Sequence, residues 1–286
     1  MDIVISGASG FIGGALGRFL SAGGNSIKAV RTDDYLLSDE AFAAKIEGAD
    51  VVINLSGATV SARWSENYKK IIYSSRIETT CKIAAAFKLC RRRPKLLINA
   101  SAVGIYASGG VHDEYKYEYG KDFLASLCLD WEAAALKVKE EGARCVIFRF
   151  GIVLDKCGGA LNKMLLPFSL GLGGVLAGGA QYMSWITLDD LLAAFNFVLN
   201  DDKQEGVFNL TSPAPVTNAE FTAALALVLK RPAFFRVPEF VLNLMLSGGA
   251  KILCEGAKVY PKRLLDAGFK FRQAELKPAL TQMLGK

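Results

Sequence analysis

Residues 1–20 read MDIVISGASGFIGGALGRFL: an apolar run at 3–5, glycines at 7, 10 and 13, and an apolar helical pattern that opens at 11. Glycine carries no Cβ, so it tolerates a tight strand-to-helix turn and lets the backbone approach a ligand closely. The first turn of the following helix presents unpaired N–H groups and the positive end of its dipole, and together these favour an anion. The GxxGxxG spacing of Gly7, Gly10 and Gly13 at a first strand-to-helix turn therefore reads as a cradle for the pyrophosphate of a dinucleotide.

The chain beyond the loop repeats the same unit. Nearly continuous apolar runs at 27–30, 51–55, 96–100 and 145–150 alternate with helical patterns near 39–47, 65–90 and 122–141. Strands of that kind belong to a parallel sheet covered on both faces. Successive strand–helix units imply a doubly wound sheet with right-handed crossovers. After residue 150 the pattern changes. Segment 155–180 is rich in glycine and predicts loop, short helix and strand, and a strand–helix unit returns at 182–200. A strand follows at 207–210, then helices near 217–230, 237–247, 260–267 and 275–284. The expected class is α/β: a doubly wound parallel-sheet domain with a smaller mixed α/β C-terminal lobe. Residues 1–151 plus about 183–210 would form the nucleotide-binding domain, and 152–182 plus 211–286 the small substrate-side lobe. That lobe would pack at the carboxyl edge of the sheet, where open α/β sheets bind ligands.

Composition removes other classes. With 34 Lys and Arg against 28 Asp and Glu, the net charge of +6 favours anionic partners only weakly. The one dense basic run, at 91–95, suits a helix end and a solvated turn, and no aromatic or basic stripe accompanies it, so no nucleic acid is expected. The six cysteines (Cys81, Cys90, Cys128, Cys145, Cys157 and Cys254) form no CxxC pair and no metal-ligand spacing. No metal site is expected, and the setting is reducing and cytoplasmic. His112 is the single histidine, which excludes a His-based triad or a multi-His metal centre. The apolar runs near 164–180 and 237–254 are interrupted and fall short of a membrane span. No basic flank precedes an apolar N-terminal segment, so no signal peptide is expected. The expected partner is a small molecule, with the chain a monomer or homodimer and without nucleic-acid or membrane partners.

The residue after the second strand selects the nucleotide. A carboxylate there binds the free 2′-hydroxyl of NAD, whereas arginine suits the 2′-phosphate of NADP. The strand at 27–30 is followed by Arg31, whose guanidinium matches a phosphate in a bidentate way. Asp33 stands close to the spacing of the NAD carboxylate. NADP is the expected cofactor and NAD the less favoured one.

Several motifs together carry a resemblance. The glycine loop, Asn54-Leu55-Ser56-Gly57 after the third strand and Ser101-Ala102-Val103 after the fourth resemble an extended short-chain dehydrogenase/reductase. Other runs resemble an atypical branch of that group, the sugar-nucleotide epimerase-like family with its small C-terminal domain. They are Arg63-Trp64, Ser75-Arg76, KMLLPFSLGLGG at 163–174, Gln181, Trp185-Ile186 with Asp189-Asp190, and YPKRLLDAGFKF at 260–271. The resemblance spans essentially the whole chain and implies a Rossmann fold with a bound nicotinamide nucleotide. Matched by motif, Gly7, Ser9, Gly10, Phe11 and Ile12 would line the pyrophosphate, and Arg31 would face the adenosine phosphate. Leu55, Ser56 and Gly57 would lie along the adenine and ribose, joined by Arg76. Gly151 to Val153 would pass near the nicotinamide. Gln181, Trp185 and the glycine-rich stretch 170–179 would close a substrate pocket.

In the wider superfamily a tyrosine and a lysine four residues later share one helix face, and the cation favours the tyrosinate as general base. The resemblance gives Ser101 the role of holding the substrate oxygen. Trp131-Glu132 matches the acidic residue that follows the lysine by four. Counting back places Cys128 at the lysine and Leu124 at the tyrosine, and leucine carries no proton. A second candidate pair, Tyr117 and Lys121, spells YxxxK. Gly120 is a poor helix-interior residue and Asp122 a good N-cap, so those residues read as the loop before the helix. Tyr106, five residues after Ser101, is a substitute acid by position. Thr187 departs from the family pattern, which has histidine there.

The leading reading is therefore an NADP-binding atypical short-chain reductase or epimerase-like protein, with hydride transfer at a hydroxyl or carbonyl carbon of a small molecule. The alternative is a non-catalytic, cofactor-binding regulatory or scaffold protein. Sugar-nucleotide epimerisation ranks below both, because it depends on the missing tyrosine.

Overall fold

A computed structural model describes residues 1–285. Six parallel strands form the central sheet: β1 (Asp2–Ser6), β2 (Ser26–Val30), β3 (Val51–Asn54), β4 (Leu96–Ala102), β5 (Arg144–Phe150) and β6 (Gly206–Leu210). Their spatial order is β2-β1-β3-β4-β5-β6. The chain leaves β1 towards β2 on one side and returns to place β3 on the other. The carboxyl ends of β1 and β3 thus flank a topological switch point, where such sheets open a crevice for ligands.

The strand pattern explains the layering. Successive side chains of a strand point to opposite faces. Ile3, Ile5, Val51, Ile53, Ile98 and Phe148 pack on one face with α1 (Phe11–Ala22) and α6 (Leu188–Leu199). Val4, Val52, Leu97, Cys145 and Ile147 pack on the other with α2 (Asp39–Ile46), α3 (Glu66–Leu89) and α4 (Phe123–Leu136). Burial on both faces requires apolar residues at every position, which is why the strands are legible as continuous apolar runs.

The C-terminal lobe has its own core. Leu161 and Phe168 of α5 (Gly159–Ser169), Phe221 and Leu225 of α7 (Asn218–Leu229), and Ala279 and Leu280 of the last helix (Leu276–Leu284) meet Leu154, Met183 and Trp185 there. The division expected from sequence is crossed twice. Trp185 packs in the lobe, while Leu264 and Phe269 return to the core of the sheet domain. Short pairings also tie the lobe to the sheet domain: Lys258–Val259 runs parallel to Val111–His112, and Ser247 bridges Trp64. Among the described residues no helix is long and apolar enough to cross a membrane.

Candidate active site

The glycine loop is pressed between its neighbours. Gly7 has φ +80°, and a Cβ on it would lie 2.8 Å from the carbonyl carbon of Leu55. A Cβ on Gly13 would run into the carbonyl oxygen of Gly7. Gly10 N-caps α1 without any side-chain hydrogen bond, and the first helical turn holds no acidic residue. Its amides are therefore open to an anion, which is the fit a pyrophosphate requires.

The turn after β3 is positioned from beneath. Buried Asn54 donates to Thr80 Oγ1 (2.8 Å) and Asn99 Oδ1 (2.7 Å), and its own Oδ1 accepts from the Ser56 amide at 3.2 Å. Gly57 leaves room for Arg76, since a Cβ there would stand 2.8 Å from Cζ. The Arg76 guanidinium donates to the carbonyls of Ile72 (3.1 Å) and Ala58 (3.0 Å) and lies 5.2 Å from the Trp131 ring. Among the described residues no carboxylate pairs with it, and burial pulls its pKa down. A largely buried cation without a counter-ion, on the wall of the cavity, suits the negative charge of a nucleotide.

Arg31 stands exposed at the end of β2, outside the cavity wall. Asp34 accepts from Lys45 at 2.9 Å and from the Arg31 amide at 2.7 Å.

From the glycine loop a cavity of about 1100 Å³ runs past Leu55, Ser56, Gly57 and Ser101 to the segment 251–257. Gly7, Gly10, Phe11, Ile12, Gly13, Arg76, Tyr106 and Gln181 border it as expected. Four expected residues do not. Ser9 lies exposed on the loop, and Arg31 stands exposed just beyond the end of β2. Val153 pairs with Ile186 and turns into the sheet core, leaving Phe150, Gly151 and Ile152 on the wall. Trp185 is fully buried in the lobe, its Nε1 donating to the Ala214 carbonyl at 3.0 Å, so it is a core residue. Of the stretch 170–179 only Leu176 reaches the cavity. Gln181 fastens the wall by donating to the carbonyls of Leu176 (3.0 Å) and Leu253 (2.8 Å).

The helix face settles the question of the missing pair. Asp122 caps α4 by accepting from the Ala125 amide at 3.0 Å, so Tyr117 and Lys121 lie in the loop before it. Leu124, Cys128 and Trp131 project to the cavity from α4. Burial pushes the Cys128 thiol up to about 12. One turn on, buried Glu132 accepts from Ser101 Oγ (2.7 Å) and, in a bidentate pair, from Arg149 Nε and Nη2 (both 2.7 Å).

Tyr106 is not a free acid. Its hydroxyl donates to Asn209 Oδ1 (2.8 Å) and accepts from Arg149 Nη1 (2.8 Å), and burial pushes its pKa up to about 12. The expected substitute donor is thereby corrected: its proton is directed at Asn209. Thr187 caps α6, accepting from the Asp190 amide at 3.1 Å, so the position serves the helix start.

Two features escaped the sequence reading. Arg149 sits inside a strand buried on both faces, and a charge there demands a buried partner. That was the available signal for pairing Arg149 with Glu132, which the motif had placed without a partner. The segment 251–257 carried no motif, and only the fold brings it over the cavity.

Fold and site together define a nucleotide-binding α/β protein with a capping lobe. The chain belongs to the NAD dependent epimerase/dehydratase family, whose pattern it matches over residues 3–211; residues 237–283 match a domain of unknown function, DUF1731. It is 37% identical over 304 residues to the Arabidopsis thaliana protein "Epimerase family protein SDR39U1 homolog, chloroplastic", covering 99% of this chain and 87% of that one. It is 36% identical to the mouse epimerase family protein SDR39U1, covering 99% and 100%. The crystal structure of human epimerase family protein SDR39U1 (isoform 2) with NADPH superposes with a TM-score of 0.93 at 33% identity, each chain covered in full.

Proposed function

We propose that this chain is an NADP(H)-dependent oxidoreductase acting at a hydroxyl or carbonyl carbon of a small molecule. The observation that carries the reading is the continuous cavity from the open helix N-terminus at Gly10 to Ser101 and the lobe. Gly7, Gly10 and Gly13 would hold the pyrophosphate, Arg31 the 2′-phosphate, and Gly57 and Arg76 the ribose side. The bound nucleotide would supply the hydride carrier. Ser101, fixed by Glu132, would hold the reacting oxygen, and the apolar face of α4 would keep water from it. The NADPH in the human relative supports the phosphate-bearing form of the cofactor. Cysteine usage without metal or disulfide spacing supports a cytoplasmic setting as part of this reading.

The test is fluorescence titration of the purified protein with NADPH and NADH, repeated for Arg31→Ala. Tight NADPH binding that weakens selectively in the variant supports the reading, and failure of both nucleotides to bind sinks it. One observation favours a second reading, a cofactor-binding protein without turnover: Leu124 and Cys128 occupy the general-base positions, and the Tyr106 proton is committed.

A further inference from the structure

We propose that the substrate is an uncharged, mainly apolar compound presenting a hydroxyl group, and that nucleoside diphosphate sugars are excluded. The inference rests on the cavity being the nucleotide-dependent site described above, and it concerns the half beyond Ser101.

Charge is the first ground. Among the described residues the cavity wall carries three cations (Arg76, Lys121 and Lys251) and three carboxylates (Glu118, Asp122 and Glu255). Arg76 stands against Gly57 on the nucleotide side. The other half is left with two lysines and three carboxylates. Lys251 is shared between Asp122 (3.6 Å) and Glu255 (3.5 Å). Lys121 is unpaired among the described residues but exposed to solvent, so it is a single screened cation where a diphosphate needs arginine forks, several lysines or an open helix N-terminus. The N-terminus of α4 offers no such site, because the Asp122 carboxylate already caps it.

Shape and polarity are the second. Leu124, Leu127, Met164, Leu176, Ile252 and Leu253 line this half from α4, α5, the strand Gly174–Leu176 and the segment 251–257. Loss of the tyrosine and lysine therefore does more than remove a base; it turns the helix face apolar. An apolar pocket with a few placed polar groups selects by fit and by those groups.

Hydrogen-bond direction is the third. A serine hydroxyl has one proton to give, and that of Ser101 goes to Glu132 at 2.7 Å. Its lone pairs are what remain. A ligand group meeting Ser101 must donate, which a hydroxyl can do and a carbonyl cannot.

The experiment is calorimetric and tryptophan-fluorescence titration of the full chain saturated with NADP+, using borneol and tetralol as neutral alcohols and UDP-glucose as the diphosphate sugar. At least one alcohol should bind saturably, and Leu124→Asp and Leu253→Asp should each weaken it by about tenfold or more, because each buries a charge in the pocket. An unchanged circular dichroism spectrum and cooperative thermal unfolding of each variant serve as the fold control. UDP-glucose should not bind. Saturable UDP-glucose binding that weakens in Lys121→Ala or Lys251→Ala overturns the inference, as does failure of both alcohols with NADP+ bound. Failure of NADPH itself to bind overturns the reading of the site, and this inference with it.

Discussion

Ser101 at the end of β4 and Glu132 on α4 stand 2.7 Å apart, and the serine donates. The same carboxylate receives two bonds from Arg149 of β5, so one buried anion holds a site hydroxyl and a buried cation at once. Glu132 acts through Ser101, which makes it a positioning residue. It orients the hydroxyl that borders the cavity while its own oxygens face the arginine.

The two partners should respond unequally to removal. Glu132→Gln leaves the Arg149 guanidinium buried without its anion, a loss of about 3–5 kcal/mol. Ser101→Ala leaves the ion pair intact and should cost less, about 1.5–3 kcal/mol for a hydrogen bond to a charged group. Urea denaturation of both variants measures the difference. Equal stability of Glu132→Gln and the parent would show that the pair does not hold the strand to the helix.

Cys128 occupies the lysine position, and burial raises its thiol to about 12. It should therefore remain protonated and inert near neutral pH, since only the thiolate is nucleophilic. Iodoacetamide labelling read by mass spectrometry should modify exposed Cys157 and leave Cys128 untouched until the protein is unfolded. Rapid labelling of native Cys128 would reveal a thiolate in the place of the missing base.

Tyr106→Phe separates a structural hydroxyl from a chemical one. The change removes a donor to Asn209 and an acceptor for Arg149, both buried, and should cost about 1–3 kcal/mol of stability. NADPH affinity should be unchanged. If turnover on any alcohol disappears while stability holds, Tyr106 is the proton donor after all.

Glu114 gives a pH signature. Burial raises its pKa from the ordinary 4.5, although the amides of Asn209 (2.7 Å) and Arg263 (3.2 Å) oppose the shift. Between the unfolded and folded values the native state binds the extra proton, so stability falls as pH rises there. Its contribution is complete below 4.5 and is lost as pH passes the raised folded value. Urea midpoints for wild type and Glu114→Gln, taken from about pH 4 to about pH 7, should show the wild type losing ground to the variant as pH rises. A constant difference would disprove the shift.

Much of the fold was legible because its signals are local. Continuous apolar strands placed β1 to β6 within a residue or two of their observed bounds, and Asp122 marked the start of α4 as an N-cap. The glycine loop was legible for the same reason: Gly7 and Gly13 are where any Cβ would strike the neighbouring backbone. Trp185 and Val153 misled because a motif records that a position matters and not which way its side chain turns. Both point into cores.

By itself the sequence determined the alternating α/β pattern, the nucleotide cradle and the absence of a proton-carrying residue at position 124. Each depends on neighbours along the chain, through periodicity, turn sterics or helical spacing. Tertiary structure alone decided that Arg149 and Ser101 share Glu132, that the Tyr106 proton goes to Asn209 and that segment 251–257 closes the cavity. Those relationships join residues from 17 to 103 positions apart, or from opposite lobes. Hydrogen-bond direction and pocket charge follow from distance in space, which folding sets and local spacing does not.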